Sequence, residues 1–140
     1  MKYKNTTPSS CPWKMGTKMS REEYLKAKIT IYNEGKIKIG LADIMRIEGC
    51  GSYSLFHMSN GKILKSSYGL SHYMPLLPEG IFGRYCDSFI INLEYVLDFT
   101  KGQNWSAVME DRTKTPYIKV FIPICRACRA KFEQDYNKYW

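Results

Sequence analysis

The sequence predicts a mostly-β single domain with small helices, and three observations carry that expectation. Apolar residues alternate with polar ones in short runs, most clearly at Ile29, Ile31, Ile37 and Ile39. Turn-forming residues separate such runs, with Asn60-Gly61 supplying the positive φ angles of a tight hairpin. A helical period is sustained only near the end, where Ile124, Ala127, Cys128, Phe132, Tyr136 and Tyr139 recur every three or four residues. The 140 residues suffice for one core, and 44% hydrophobic with 24% charged side chains excludes wholesale disorder.

Taken in order, residues 1–19 are rich in Lys, Thr, Ser and Pro and read as an extended arm. Ser20-Arg21-Glu22-Glu23 has the pattern of a capping box, opening a short helix to about Lys28. The isoleucine alternation then makes a hairpin around Asn33-Glu34-Gly35. Leu41-Ala42-Asp43 is a turn or helical step into a strand over Ile44–Glu48, and Gly49-Cys50-Gly51-Ser52 is a loop. Tyr53–Met58 and Lys62–Ser66 pair across Ser59-Asn60-Gly61. A short helix fits Tyr68 to Leu77, which Pro75 should stop or kink. Further strands are expected at Phe89–Asn92, Tyr95–Phe99, Ser106–Met109 and Tyr117–Ile122. Pro123 suits the first turn of the last helix, whose opposite face carries Arg126, Arg129 and Lys138. The division is a basic N-terminal arm with its short helix over 1–28 and one domain over 29–140.

The start Met-Lys-Tyr-Lys holds no apolar h-region, so no secretory signal is expected. The longest apolar run, Val120–Cys125, is broken by proline and is far below the ~20 residues of a membrane helix. Cys11, Cys50, Cys86, Cys125 and Cys128 are odd in number without scaffold spacing, which fits a reducing, cytoplasmic setting. The net charge is +8 and sits at the ends. Residues 1–28 and 112–140 each carry seven basic and two acidic side chains, and 29–111 carry seven and nine. That distribution points to a polyanion, nucleic acid before an anionic membrane.

Two segments bear chemistry. Phe82-Gly83-Arg84-Tyr85-Cys86-Asp87-Ser88-Phe89-Ile90-Ile91-Asn92 joins a polar loop to a strand that must be buried, and Ile122-Pro123-Ile124-Cys125-Arg126 follows about thirty residues on. With Ala42-Asp43-Ile44-Met45-Arg46-Ile47-Glu48, the loop to Tyr53, and Gly69-Leu70, they resemble the LytTR family of bacterial DNA-binding domains over residues 29–132. The family's segments read F-x-R-x-x-x-S-aromatic-aliphatic-aliphatic-N, aliphatic-Pro-aliphatic-Ser-Arg and D-I-x-x-I-E. The resemblance implies an elongated stack of short antiparallel β-sheets with small flanking helices. It also implies sequence-specific binding of double-stranded DNA to regulate transcription, with loops reading successive major grooves of a duplex that bends.

Family base contacts carry over to Tyr53, Asp87 and Arg126, and Ser52, Lys62, Arg84, Ser88 and Arg129 are expected at the DNA backbone as hydroxyls and cations suited to phosphate. Arg126 is the strongest physically, since a guanidinium fork matches guanine O6 and N7. Arg84 either meets a phosphate or pins its own loop through a carboxylate. Asp87 stands where the family has a donor; it either accepts from cytosine N4 or binds Arg84 or Arg126 and fixes its orientation. Cys125 replaces a serine. Many family members carry a receiver domain with a phosphorylatable Asp; with about 28 residues before the first strand here, another regulatory protein, the arm or thiol chemistry would replace that input. A homodimer on repeated sites is a further expectation.

Other classes are weaker. Cys125-x-x-Cys128 lacks the second pair of a zinc site, His57 and His72 have no ligand spacing, and no metal or cofactor is expected, though a redox-sensing thiol at Cys125 stays open. No paired carboxylates, Ser-His-Asp set or phosphate loop argues for an enzyme. A protein-interaction module that kept the fold and lost DNA binding is the main alternative, on the strength of Asp87. Single-stranded nucleic-acid binding would need Tyr53, Tyr85 and Trp105 exposed and coplanar.

Overall fold

The computed structural model describes residues 16–140. Most of the expected arm, with Lys2, Lys4, Lys14 and Cys11, lies outside the described residues.

Helix α1 (Arg21–Lys26) begins with the expected capping box: Ser20 Oγ accepts from the Glu23 N–H, and Glu23 accepts from the Ser20 N–H at 2.9 Å. Its Tyr24 is fully buried, so α1 is built into the domain. Strands β1 (Lys28–Tyr32) and β2 (Lys36–Gly40) form a two-stranded sheet whose turn places Glu34 and Gly35 at positive φ. A single 3-10 turn, Leu41–Asp43, leads to β3 (Ile44–Cys50), which runs antiparallel to β4 (Tyr53–Met58), and β4 to β5 (Ile63–Ser66).

The helix expected over Tyr68 to Leu77 is shorter. Gly69 precedes α2 (Leu70–Tyr73), and with Pro75 next in line the chain tightens into a 3-10 turn, Met74–Leu76. The two-residue β6 (Phe82–Gly83) then pairs with β7 (Phe89–Asn92), completing a five-stranded sheet in the order β5-β4-β3-β7-β6. Instead of a strand over Tyr95–Phe99 there is a 3-10 turn, Leu93–Tyr95, and then β8 (Asp98–Thr100). The cause is local: Asn92 Oδ1 accepts from the Glu94 N–H at 2.9 Å and starts the turn.

Strands β9 (Ser106–Asp111) and β10 (Ile118–Pro123) join it in a three-stranded antiparallel sheet ordered β10-β9-β8. Pro123 is thus the last residue of an edge strand, where its missing N–H costs no ladder bond, and does not open the helix. A 3-10 turn, Arg126–Cys128, precedes α3 (Arg129–Tyr139). Ala127, expected on the apolar face, is exposed, whereas Cys128 and Phe132 are fully buried.

The five-stranded sheet is the middle layer. One face packs Ile47, Phe56 and Ile90 against Tyr24, the isoleucines of β1 and β2, and α2. The other packs Met45 and Ile91 against β9, Ile122 and Phe132 of α3. β7 is therefore buried on both sides, which its Phe-Ile-Ile-Asn run suits. A register shift between Ile44 and Arg46 sends Met45 to the second core and leaves Arg46 buried, its guanidinium donating to the Glu110 carbonyl at 2.8 Å.

Candidate nucleic-acid interface

The three expected recognition segments are tied in series by backbone hydrogen bonds. The first is the two-residue hairpin Gly51-Ser52 between the paired Cys50 and Tyr53. Gly51 has φ +72 and Ser52 does not share that sign, the pattern of a type II′ turn that follows strand twist. Ser52 is exposed at the tip. Tyr53 is half-buried, and the ammonium of Lys65, a diagonal neighbour on β5, stands 4.4 Å above its ring.

The second segment is the loop from Arg84 to Ser88, between β6 and β7. Two inward side chains anchor it. Tyr85 packs edge-on against Phe132 and donates its hydroxyl to Asp135 at 2.6 Å, and Cys86 is buried, which pushes its thiol pKa up. A Cβ at Gly83 would overlap the Tyr85 ring, so only glycine lets that ring fold back over the strand. Arg84, half-buried, donates to the Asp87 backbone carbonyl at 2.8 Å, and Ser88 Oγ donates to the Asp87 carboxylate at 3.0 Å. Arg84 thus pins its own loop through the Asp87 carbonyl. The Asp87 carboxylate accepts from Ser88, and its charge partly offsets the burial that lowers the Arg84 pKa.

The third segment is Ile124–Arg126. The Ile124 N–H donates to the Trp105 carbonyl at 2.9 Å, and the Cys125 N–H donates to the Tyr85 carbonyl at 2.8 Å. Arg126 follows, exposed, with no ion pair to any described residue. On the other side of the middle loop the Gly49 N–H donates to the Ser88 carbonyl at 2.7 Å. Hairpin, middle loop and Arg126 turn are thus joined in series by two main-chain bonds that use no side-chain atom.

Ser52, Arg84, Asp87 and Ser88 line a surface depression of about 440 Å³ together with Ser71 and His72. Four expected contacts, Tyr53, Lys62, Arg126 and Arg129, do not line it. Lys62 is in the turn at the other end of β4 from Ser52, about 20 Å along the strand at about 3.3 Å per residue. Arg129 donates to the Gln103 carbonyl at 2.7 Å and lies over the Trp105 ring at 5.5 Å, which gives its guanidinium a place in the fold. Tyr85 is buried, so it cannot belong to an exposed stacking platform, and the single-stranded reading fails on that residue. Ser71 and His72 carried no signal in the sequence: their proximity to the middle loop depends on how α2 packs on β3, where Gly49 meets Leu70.

No family model and no curated protein matches the chain. Among solved structures it is similar to the LytTr DNA-binding domain of a protein described as a methyl-accepting/DNA response regulator from Bacillus cereus. The TM-score is 0.60 at 18% identity, over 78% of this chain and 95% of that one. The likeness is one of fold: the described residues adopt the mostly-β LytTR architecture of three antiparallel sheets with short helices. No helix among them is long and apolar enough to cross a membrane.

Proposed function

We propose that the protein is a double-stranded DNA-binding transcriptional regulator that reads sequence through Tyr53, Asp87 and Arg126. The observation that carries this reading is the main-chain tie between the three segments. It holds the exposed Arg126 in fixed relation to Arg84 and Ser52 on a chain of net charge +8. Phosphate contacts from Ser52, Arg84 and Ser88 would set the register, and Arg126 would read a guanine edge. Loops of this kind enter successive major grooves from one side, so the duplex bends to meet them. A homodimer on repeated sites and a regulatory protein acting in place of a receiver domain belong to the same reading.

Selection of binding sites from a random duplex library tests it. An enriched motif with contacts repeated about one helical turn apart, ~10 base pairs, is the expected result. No enrichment, with no duplex bound at low salt, would overturn it in favour of a protein-interaction module.

A further inference from the structure

His72 occupies the wall of the depression opposite the middle loop. Its ring is stacked on Tyr68 with centroids 4.3 Å apart and planes 15° from parallel. Tyr73 meets it edge-on at 4.8 Å, and Tyr32 at 6.3 Å. Tyr32 and Tyr68 are themselves in edge contact at 5.3 Å, closing a cluster of four rings drawn from β1, the β5–α2 connection and α2. Three aromatic neighbours thus hold an imidazole that is nevertheless exposed. That combination is preorganisation without burial: little rotamer freedom is left to lose when a ligand arrives.

The surroundings say which ligand. Around the depression stand the hydroxyls of Ser52, Ser71 and Ser88, the Arg84 guanidinium and the His72 imidazole, with Gly49, Gly51 and Gly69 leaving room for close approach. The charged side chains that line the depression with His72 are Arg84 and Asp87, and the titratable groups in contact with its ring are the phenols of Tyr32, Tyr68 and Tyr73. The Asp87 carboxylate already accepts from Ser88. The Ser88 hydroxyl is spent on Asp87, which leaves the Ser52 and Ser71 hydroxyls, the Arg84 guanidinium and the His72 imidazole as donors suited to a tetrahedral oxyanion.

We propose that this depression is a phosphate subsite for the DNA backbone in which His72 makes a contact that strengthens on protonation, so that duplex binding tightens in mild acid. The inference rests on the DNA-binding reading above. Histidine is the side chain whose charge ordinarily changes between pH 5 and 8, so the subsite would grade affinity across that range. The stacked Tyr68 ring positions the imidazole.

The test is duplex binding against salt at pH 5.5 and pH 8, for wild type, His72→Gln and Tyr68→Leu, on the same DNA. If protonation lets His72 neutralise one more phosphate, the slope of log K against log salt steepens by about 0.9. Wild type should show that increment at pH 5.5. His72→Gln should show no increment between pH 8 and pH 5.5, whatever its affinity at pH 8, and Tyr68→Leu should show a smaller one. An equal increment in wild type and His72→Gln would overturn the subsite and leave DNA binding intact, as would no increment in either. Failure of wild type to bind any duplex at either pH would remove the DNA-binding reading and the subsite together. Both variants change exposed side chains, and an unchanged urea midpoint confirms that the fold is kept.

Discussion

The Cys125 N–H donates to the carbonyl of Tyr85 at 2.8 Å, and this bond sets where Arg126 leaves the fold. Tyr85 is itself buried against Phe132, so the turn before Arg126 is fastened to a rigid point and its side chain is free beyond it. Arg126→Ala should cost about 1–3 kcal/mol on a selected site and much less on a scrambled duplex, because a bidentate base contact carries specificity. Arg126→Lys should not restore it, since an ammonium lacks the planar fork. Equal losses on both duplexes at fixed salt would make Arg126 a phosphate contact.

Arg129 should behave in the opposite way. Its guanidinium is engaged by the Gln103 carbonyl and the Trp105 ring. Arg129→Ala should lower stability to urea by about 1 kcal/mol and leave the salt slope of DNA binding unchanged. A flattened slope with unchanged stability would return it to the residues that touch DNA.

The buried Asn92 joins three elements: its Nδ2 donates to the Tyr24 hydroxyl at 2.8 Å and the Ile44 carbonyl at 2.9 Å, and its Oδ1 accepts from Glu94. Asn92→Ala strands those partners inside the core and should cost about 2–4 kcal/mol in urea denaturation. A change below about 0.5 kcal/mol, typical of surface sites, would show that the network is dispensable.

His57 makes stability depend on pH. It lies 3.0 Å from Glu48, but burial first, and then the nearby Arg46 charge, holds its pKa below the usual 6.5. The folded state therefore takes up this proton less readily than the unfolded chain. Its contribution is complete above about pH 6.5 and is lost as pH falls through the folded pKa. The urea midpoint should fall between pH 7 and pH 5, more steeply for wild type than for His57→Gln. Parallel curves would assign the acid sensitivity to carboxylates instead.

Removal of residues 1–15 deletes Lys2, Lys4 and Lys14 and spares Thr17, whose backbone pairs with Leu77 and Glu79. If the arm touches phosphates, the salt slope should drop by about 0.9 for each phosphate it had neutralised, with no change in preferred sequence. An unchanged slope would assign the arm to another partner.

Much of this was legible in the sequence. Ser20 and Glu23 announced a helix start that forms as expected, and the Phe-Ile-Ile-Asn run marked the strand that carries both cores. What stayed hidden is what depends on partners distant in the chain. The burial of Arg46 follows from a bulge and a carbonyl 64 residues away. Pro123 reads equally well as a helix start or as the end of an edge strand, and only the pairing with Ser106 decides. The packing partners of Tyr85 could not be named from its neighbours, because nothing nearby in sequence foretells Phe132 and Asp135. His72 was invisible as a candidate because its three ring neighbours converge only after β1 and α2 pack together.

The passage from Ser88 to Ile90 crosses from solvent to a fully enclosed position within two residues. Selection therefore acts on adjoining positions under unrelated constraints. Substitutions at 87 and 88 alter an exposed loop, while those at 90–92 are constrained by the interior. The exposed loop and the scaffold beneath it can thus change separately, the one without unfolding the other.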